Sequence, residues 1–223
     1  MTAHPTSPDP TVTGHPMGGV PHGTWTKVNA IGLSIAYGLF AVVGDGVEML
    51  FDLDHDGVAR NIPTLFAIVI GAGVFSRLRQ HALAPLAGVS RGIATASGLG
   101  FAGGFLLGFA IAGPPLDFVL ATLTFGAIGG LAMRRHLASR LVKPGRFHAR
   151  VIGAWLAAAV AVPIAAMVVV GPMYAVLGEP AEGSVAAYVS FIAALVFLGL
   201  VGGATGGAVE WRALRRHFAP SMT

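Results

Sequence analysis

Two acidic residues lie close together inside an apolar stretch of the chain. Asp45 and Glu48 are three residues apart, so on a helix their side chains share one face. Charged groups at membrane depth are costly and usually face a cavity or a partner, so this pair marks a path for an ion or a proton. Asp117, at the start of a later apolar stretch, can face them. The alternative is that Asp45 lies only about two turns from the surface and simply reaches water.

A second acidic group follows directly. Asp52, Asp54 and Asp56 alternate along the chain and are followed by Gly57, which matches the first half of a calcium-binding loop. In the complete loop a carboxylate at position 12 closes the site, but that position here is Pro63. The pattern therefore predicts either a divalent cation site at these three aspartates, with calcium as the ion, or a solvated acidic turn.

Several other chemistries are excluded or disfavoured. The chain contains no cysteine, which removes disulfides, thiolate metal sites and a cysteine nucleophile. No histidine lies in the middle of an apolar stretch, which disfavours helix-ligated haem and an activated intramembrane serine. No glycine-rich phosphate loop followed by lysine occurs. The sequence therefore favours a protein that is not an enzyme.

The elements that position these residues are long apolar segments. Of the 223 residues 54% are hydrophobic and 11% charged, and the mean hydropathy is +0.73, so lipid is the expected solvent. Six stretches approach the roughly 20 apolar residues that a spanning helix needs. They are Val28–Phe51, Asn61–Leu78, Gly92–Gly113, Leu116–Met133, Val151–Tyr174 and Ser184–Val209. Pro163 predicts a kink in the fifth.

These stretches predict an all-α polytopic membrane protein. Its transmembrane domain of six helices covers residues 27–218, between a disordered tail at residues 1–26 and a short C-terminal tail at residues 219–223.

Basic and acidic residues fall on opposite sides of this arrangement. With both termini inside, 13 of the 14 Lys and Arg residues lie on the cytoplasmic side, and only Arg60 lies outside. The inside set is Lys27, Arg77, Arg79, Arg91, Arg134, Arg135, Arg140, Lys143, Arg146, Arg150, Arg212, Arg215 and Arg216. Eight of the ten acids lie at or near the outer face, so that mouth attracts cations. Because the cations sit at helix ends rather than on one patch, nucleic acid is not the expected partner despite a pI of 10.1.

The even-numbered segments end alike. Gly71-Ala72 precedes His81 by the same interval as Gly126-Ala127 precedes His136, and Arg79 then matches Arg134. One interpretation is three repeated helical hairpins around a common axis. The other is that any chain rich in Gly, Ala and Arg looks self-similar where its helices enter the cytoplasm.

Two segments carry glycine at every fourth position. Gly100, Gly104 and Gly108 repeat on the third, and Gly199, Gly203 and Gly207 on the sixth. Such stripes let a partner helix approach to backbone contact. The partner is either a helix of the same chain or another subunit, in a homo-oligomer or a larger membrane complex.

The leading functional interpretation is a transporter or channel-like protein for a small cation or solute, with Asp45, Glu48 and Asp117 along its path. The alternative is a non-catalytic subunit or assembly factor of a larger membrane complex. Arg outnumbers Lys twelve to two, which is typical of GC-rich bacterial genomes and favours the cell inner membrane.

Overall fold

The structure is a computed structural model that describes residues 20–46, 58–84, 90–111, 116–137, 144–178 and 184–217. These residues form helices almost throughout, with no strand among them, so the expected all-α class is confirmed. The helices are α1 (His22–Leu39, continued by a π-helical segment Phe40–Asp45), α2 (Val58–Ala82), α3 (Ser90–Ile111), α4 (Leu116–Leu137), α5 (Pro144–Ala165, a π-helical segment Ala166–Val170, then Gly171–Leu177) and α6 (Val185–His217).

Four of these helices are long and apolar enough to cross a membrane. The candidate spans within the described residues are His22–Val43, Ile62–Ala82, Gly145–Val176 and Val185–His217. The helices α3 and α4 coincide with the third and fourth predicted spans but are not among these four. The described chain is thus a helical protein with four candidate spans.

Helix α1 begins earlier in the chain, and helix α6 ends later, than the apolar pattern indicates. Helix α1 begins at His22, inside the segment expected to be a tail, because Trp25 is buried in the bundle and Pro21 is tolerated at a helix start. Helix α6 continues past Val209 to His217, because Glu210, Leu214 and His217 face the interior. The two ends are joined where Trp211 Nε1 donates to the carbonyl of Val20 at 3.2 Å.

The six helices form a closed ring. Each packs against its neighbours in chain order, and α6 closes the ring by packing along α1. One end of the ring, called the basic end below, is where α1, α3 and α5 begin and α2, α4 and α6 finish. Large apolar side chains outside the ring are exposed, among them Phe66 at 61% and Met167 at 68%. Such an exterior suits lipid rather than water.

Glycine allows the backbones of two pairs of neighbouring helices in the ring to come into direct contact. A Cβ added to Gly104 would lie 2.5 Å from the carbonyl oxygen of Ala121 on α4, and one on Gly100 would lie 2.7 Å from Gly129 Cα. On α6, Gly199, Gly203 and Gly207 lie in the same way against α1. The described glycine faces of α3 and α6 are therefore occupied by helices of this chain. Gly108 is the next glycine of the same stripe on α3.

The π-helical segments mark two places where the helical register changes. In α5 the change begins at Ala166, less than one turn after Pro163, the residue expected to disturb this helix. In α1 the hydroxyl of Tyr188 from α6 lies 3.2 Å from the carbonyl oxygen of Val42 and 3.4 Å from that of Ala41. Helix α6 thus supplies a donor to carbonyls at the π-helical end of α1.

Replacing Gly104 by alanine tests the α3–α4 contact. We expect Gly104→Ala to destabilise the protein by about 1–3 kcal/mol, because the new Cβ meets backbone atoms that have no rotamer to yield. Gly153→Ala is the matched control, since nothing lies within 4 Å of its added Cβ and alanine is the better helix former. Thermal unfolding in detergent measures both. Equal melting temperatures for the two variants would contradict this packing.

Candidate functional site

An ion pair lies buried in the bundle toward its basic end. Arg79, in the last turn of α2, contacts Glu210 of α6 through Nη2 and Oε2, and both side chains are 0% exposed. The two residues are 131 positions apart in sequence, so the pair joins helices on either side of α1. Arg79 is one of the cations expected at the cytoplasmic flank. The structure instead buries it inside the ring, because Glu210 supplies the opposite charge there.

A serine on a third helix holds the same guanidinium. Arg79 Nη1 donates to Ser97 Oγ on α3 at 2.6 Å, and the Ser97 hydroxyl in turn donates to the Ile93 carbonyl at 2.6 Å. One terminal nitrogen of the guanidinium, Nη2, therefore binds α6, and the other, Nη1, binds α3. Because guanidinium donors have fixed directions, the arrangement fixes the relative positions of α2, α3 and α6.

Aromatic rings from two helices surround the pair. The Arg79 guanidinium carbon lies 4.4 Å from the ring centroid of Trp25 on α1 and 5.3 Å from that of Phe75. The indole N–H groups of Trp25 and of Trp155, on α5, face the Glu210 carboxylate. A cation over an aromatic face is stabilised by the ring quadrupole, most strongly where water is excluded.

The polar atoms around the pair are not all satisfied. Among the described protein atoms, Arg79 Nε, Glu210 Oε1 and Trp25 Nε1 have no hydrogen-bond partner. Each buried unsatisfied group costs about 1–3 kcal/mol.

A column of aromatic rings continues from the pair along the ring interior. Trp155 packs edge-on against Phe125 at 4.1 Å between centroids, Phe125 contacts Phe75 at 5.5 Å, and Phe75 contacts Phe101 at 6.0 Å. Phe101 and Phe105 then lie 4.5 Å apart.

The column ends at a polar contact that crosses the ring. Tyr37 of α1 packs against Phe105 at 5.5 Å, and its hydroxyl lies 3.3 Å from Thr122 Oγ1 of α4. Helices α1 and α4 are on opposite sides of the ring, so this contact spans its interior. All the rings of the column are buried, and the described part of the axis is closed.

The acidic residues singled out from the sequence are only partly within the described residues. Asp45 is the last residue of the π-helical segment of α1, and Asp117 is the second residue of α4. Both therefore lie toward the end of the ring opposite the basic end. Glu48 and the candidate calcium ligands Asp52, Asp54 and Asp56 lie outside the described residues.

The sequence patterns miss the members of the buried cluster other than Arg79. Glu210 carries one signal that identifies it: it is the last acid of the chain, and it stands between Val209 and Trp211 among the cations near the C-terminus. Trp25 and Trp155 give no comparable signal, because a tryptophan near a helix end equally fits the membrane interface.

Comparison with family models, with curated proteins and with solved structures finds no match for this chain.

Within the described residues, the cluster joins five of the six helices through one exchangeable contact. Helices α1, α2, α3, α5 and α6 all touch it, and α4 reaches it through Phe125 and Trp155. The Glu210 carboxylate is the one acid within this cluster, and Arg79 is its ion-pair partner.

A double-mutant cycle tests the energetic coupling of the pair. Arg79→Met or Glu210→Met alone leaves one buried charge unpaired and is expected to cost about 3–5 kcal/mol. The double variant Arg79→Met with Glu210→Met removes both charges, so its cost should be well below the sum of the two single costs. Unfolding in detergent supplies the three free-energy differences. Strict additivity would show that the two residues do not interact.

Proposed function

We propose that this protein is a six-span carrier of a small cation or solute in the cytoplasmic membrane of a bacterium. The buried Arg79–Glu210 pair supports the proposal most strongly. Ionisable residues within apolar helices are rare, and they usually belong to ion paths or proton relays. The proposal includes α3 and α4 as membrane spans. If these two helices lay in water instead, their exposed apolar side chains Leu99, Leu106 and Leu131 would contact water, which is unfavourable.

The direction of entry follows from the distribution of charge. We place the acidic residues Asp45, Glu48 and Asp117 at an outer mouth, where they raise the local cation concentration. The Arg79–Glu210 pair lies at the other end of the closed column. A cation that enters between these three acids and moves along the axis of the ring next meets the carboxylate of Glu210.

A closed interior favours a carrier over an open channel. Six large aromatic side chains and the Tyr37–Thr122 contact fill the described axis, so passage needs a rearrangement of the helices. The Arg79–Glu210 contact provides an element with two states, paired or separated. A cation that binds Glu210 better in the separated state shifts the population toward it, which is the thermodynamic requirement for a coupled carrier.

Flux measurements with reconstituted vesicles test the outer mouth. Asp45→Asn with Glu48→Gln is expected to lower the uptake of the transported cation several-fold, because both charges that attract it are removed. Glu182→Gln is the matched control, as it removes an acid from the same predicted face but outside the helices that hold the proposed path. Unchanged flux in the double variant, or an equal loss of flux in the control, would contradict the assignment of Asp45 and Glu48 to the entry of the path.

Arg79 and Glu210 give a second test of the same carrier. Replacing both residues by glutamine keeps hydrogen-bonding groups in place and removes both charges. We expect the double variant Arg79→Gln with Glu210→Gln to fold but to lose its cation-dependent uptake. Uptake at the wild-type level in a variant that also melts at the wild-type temperature would contradict the assigned role of the pair.

The alternative function is a non-catalytic subunit of a larger membrane complex. It is favoured by the wide apolar exterior, where Val69 of α2 is 65% exposed and Val176 of α5 is 83% exposed. Lipid or a protein partner can cover such a surface. Purification from native membranes in mild detergent separates the two functions, since a foreign partner in stoichiometric amount supports the subunit and a preparation of this chain alone supports the carrier.

Orientation is tested by labelling intact cells. A tag fused after Thr223 is expected to be inaccessible to a membrane-impermeant reagent until the cells are opened, because the basic end should face the cytoplasm. A tag at the Asp52–Asp56 segment should be labelled without opening the cells. The reverse pattern would place the acids inside and overturn the proposed entry.

A further inference from the structure

The basic end of the bundle carries a concave site between the end of α2 and the start of α3. Its volume is about 350 Å³, and it is lined by Arg77, Gln80, His81, Ala84 and Arg91. Two guanidinium groups, an imidazole and an amide thus converge on a space large enough for a phosphate with its substituent. This site is separate from the buried pair, whose Arg79 faces the ring interior.

The cations of this cleft have no carboxylate to balance them. The sequence contains no acid between Asp56 and Asp117, none between Asp117 and Glu179, and none after Glu210. No Asp or Glu therefore lies in the segments that connect or end the helices at the basic end, apart from Asp9 of the N-terminal segment. Glu210 is the acid within the described part of this end, and Arg79 occupies it. Within the described residues at this end, no carboxylate is left to balance the cations of this cleft.

The described geometry prepares the cleft for an oxyanion. Arg77 Nη1 donates to Gln80 Oε1 at 3.3 Å, which orients the guanidinium while leaving most of its donors open. Arg91, in the first turn of α3, stands at the other side of the cleft. Guanidinium groups bind phosphate oxygens in bidentate fashion, and the N-terminal turn of a helix adds favourable partial charge.

We propose that this cleft binds a phosphate-bearing anion, either the headgroup of an acidic phospholipid or a soluble phosphate. Arg77 and Arg91 hold the phosphate oxygens, and His81 and Gln80 supply further hydrogen bonds. The ordinary tendency of cations to lie at the cytoplasmic ends of helices accounts for their sidedness. It does not account for their convergence on one concave site.

Thermal-shift titration of the full-length protein in detergent tests the proposal. The probes are short-chain phosphatidylglycerol, short-chain phosphatidylcholine and sodium phosphate, all at matched ionic strength. We expect stabilisation by phosphatidylglycerol at concentrations where phosphatidylcholine has no effect. The variant Arg77→Gln with Arg91→Gln should raise the midpoint concentration of phosphatidylglycerol about thirty-fold. Each Lys or Arg near an acidic lipid headgroup strengthens binding by about a factor of five, and the variant removes two of them. Arg135→Gln, an exposed cation outside the cleft, is the control and should leave the midpoint unchanged.

The outcomes separate the sources of the phosphate from failure of the proposal. Stabilisation by phosphatidylglycerol alone identifies a lipid headgroup, and equal stabilisation by inorganic phosphate identifies a soluble anion. Either result supports the proposal if it weakens in the double variant. A wild-type protein that responds to neither anion, or a double variant that responds like the wild type, overturns it. None of these results bears on the carrier function, because Glu210 and the acidic mouth are unchanged.

Discussion

The contact between Arg79 and Glu210 is the constraint on which the rest of this bundle depends. Two charges at zero exposure inside apolar helices are tolerated only as a pair, so α2 and α6 must stay at the distance that the pair sets. Ser97 then ties α3 to the same guanidinium, and Trp25 and Trp155 bring α1 and α5 against it. The ring closes around this cluster, and α4 completes it through the aromatic column.

Backbone contact on both sides of the ring makes this constraint effective. Gly203 and Gly207 let α6 lie directly against Asn29 of α1, and Gly100 and Gly104 let α4 lie directly against α3. In hydrocarbon, close approach and hydrogen bonding replace the hydrophobic effect as the cause of helix association. The two backbone contacts and the buried pair therefore hold α1, α2, α3, α4 and α6 in fixed positions within the ring.

The helical class and the apolar spans follow directly from the sequence, because a length near 20 residues and a high apolar content are local properties. The glycine stripes likewise mark helix faces, although their spacing does not say which helix lies opposite. Pairing across 131 residues is a different matter. Arg79 stands two residues from Arg77 in the same basic stretch, and the sequence alone does not say which of the two side chains turns inward. Glu210 of α6 decides this, because it pairs with Arg79.

The buried cluster therefore could not be assembled from spacing alone. Asp45 and Glu48 attract notice because they are close in sequence, whereas Trp25, Arg79, Ser97, Trp155 and Glu210 come together only in three dimensions. The sequence gives one signal for Glu210, because it is a lone acid in a basic region. It gives none for Trp25 and Trp155, because their contacts depend on a carboxylate that another helix positions.

Solid-state NMR of the protein in lipid tests the buried pair most directly. The chain has four glutamates, so Glu48→Gln, Glu179→Gln and Glu182→Gln leave Glu210 as the only ¹³C-carboxylate when glutamate is labelled together with ¹⁵N-arginine. The described contact predicts strong dipolar dephasing of the Glu210 carboxylate by guanidinium nitrogen, and its loss in Arg79→Met. A carboxylate signal that shows no dephasing by arginine nitrogen would contradict the pair and the arrangement of helices around it.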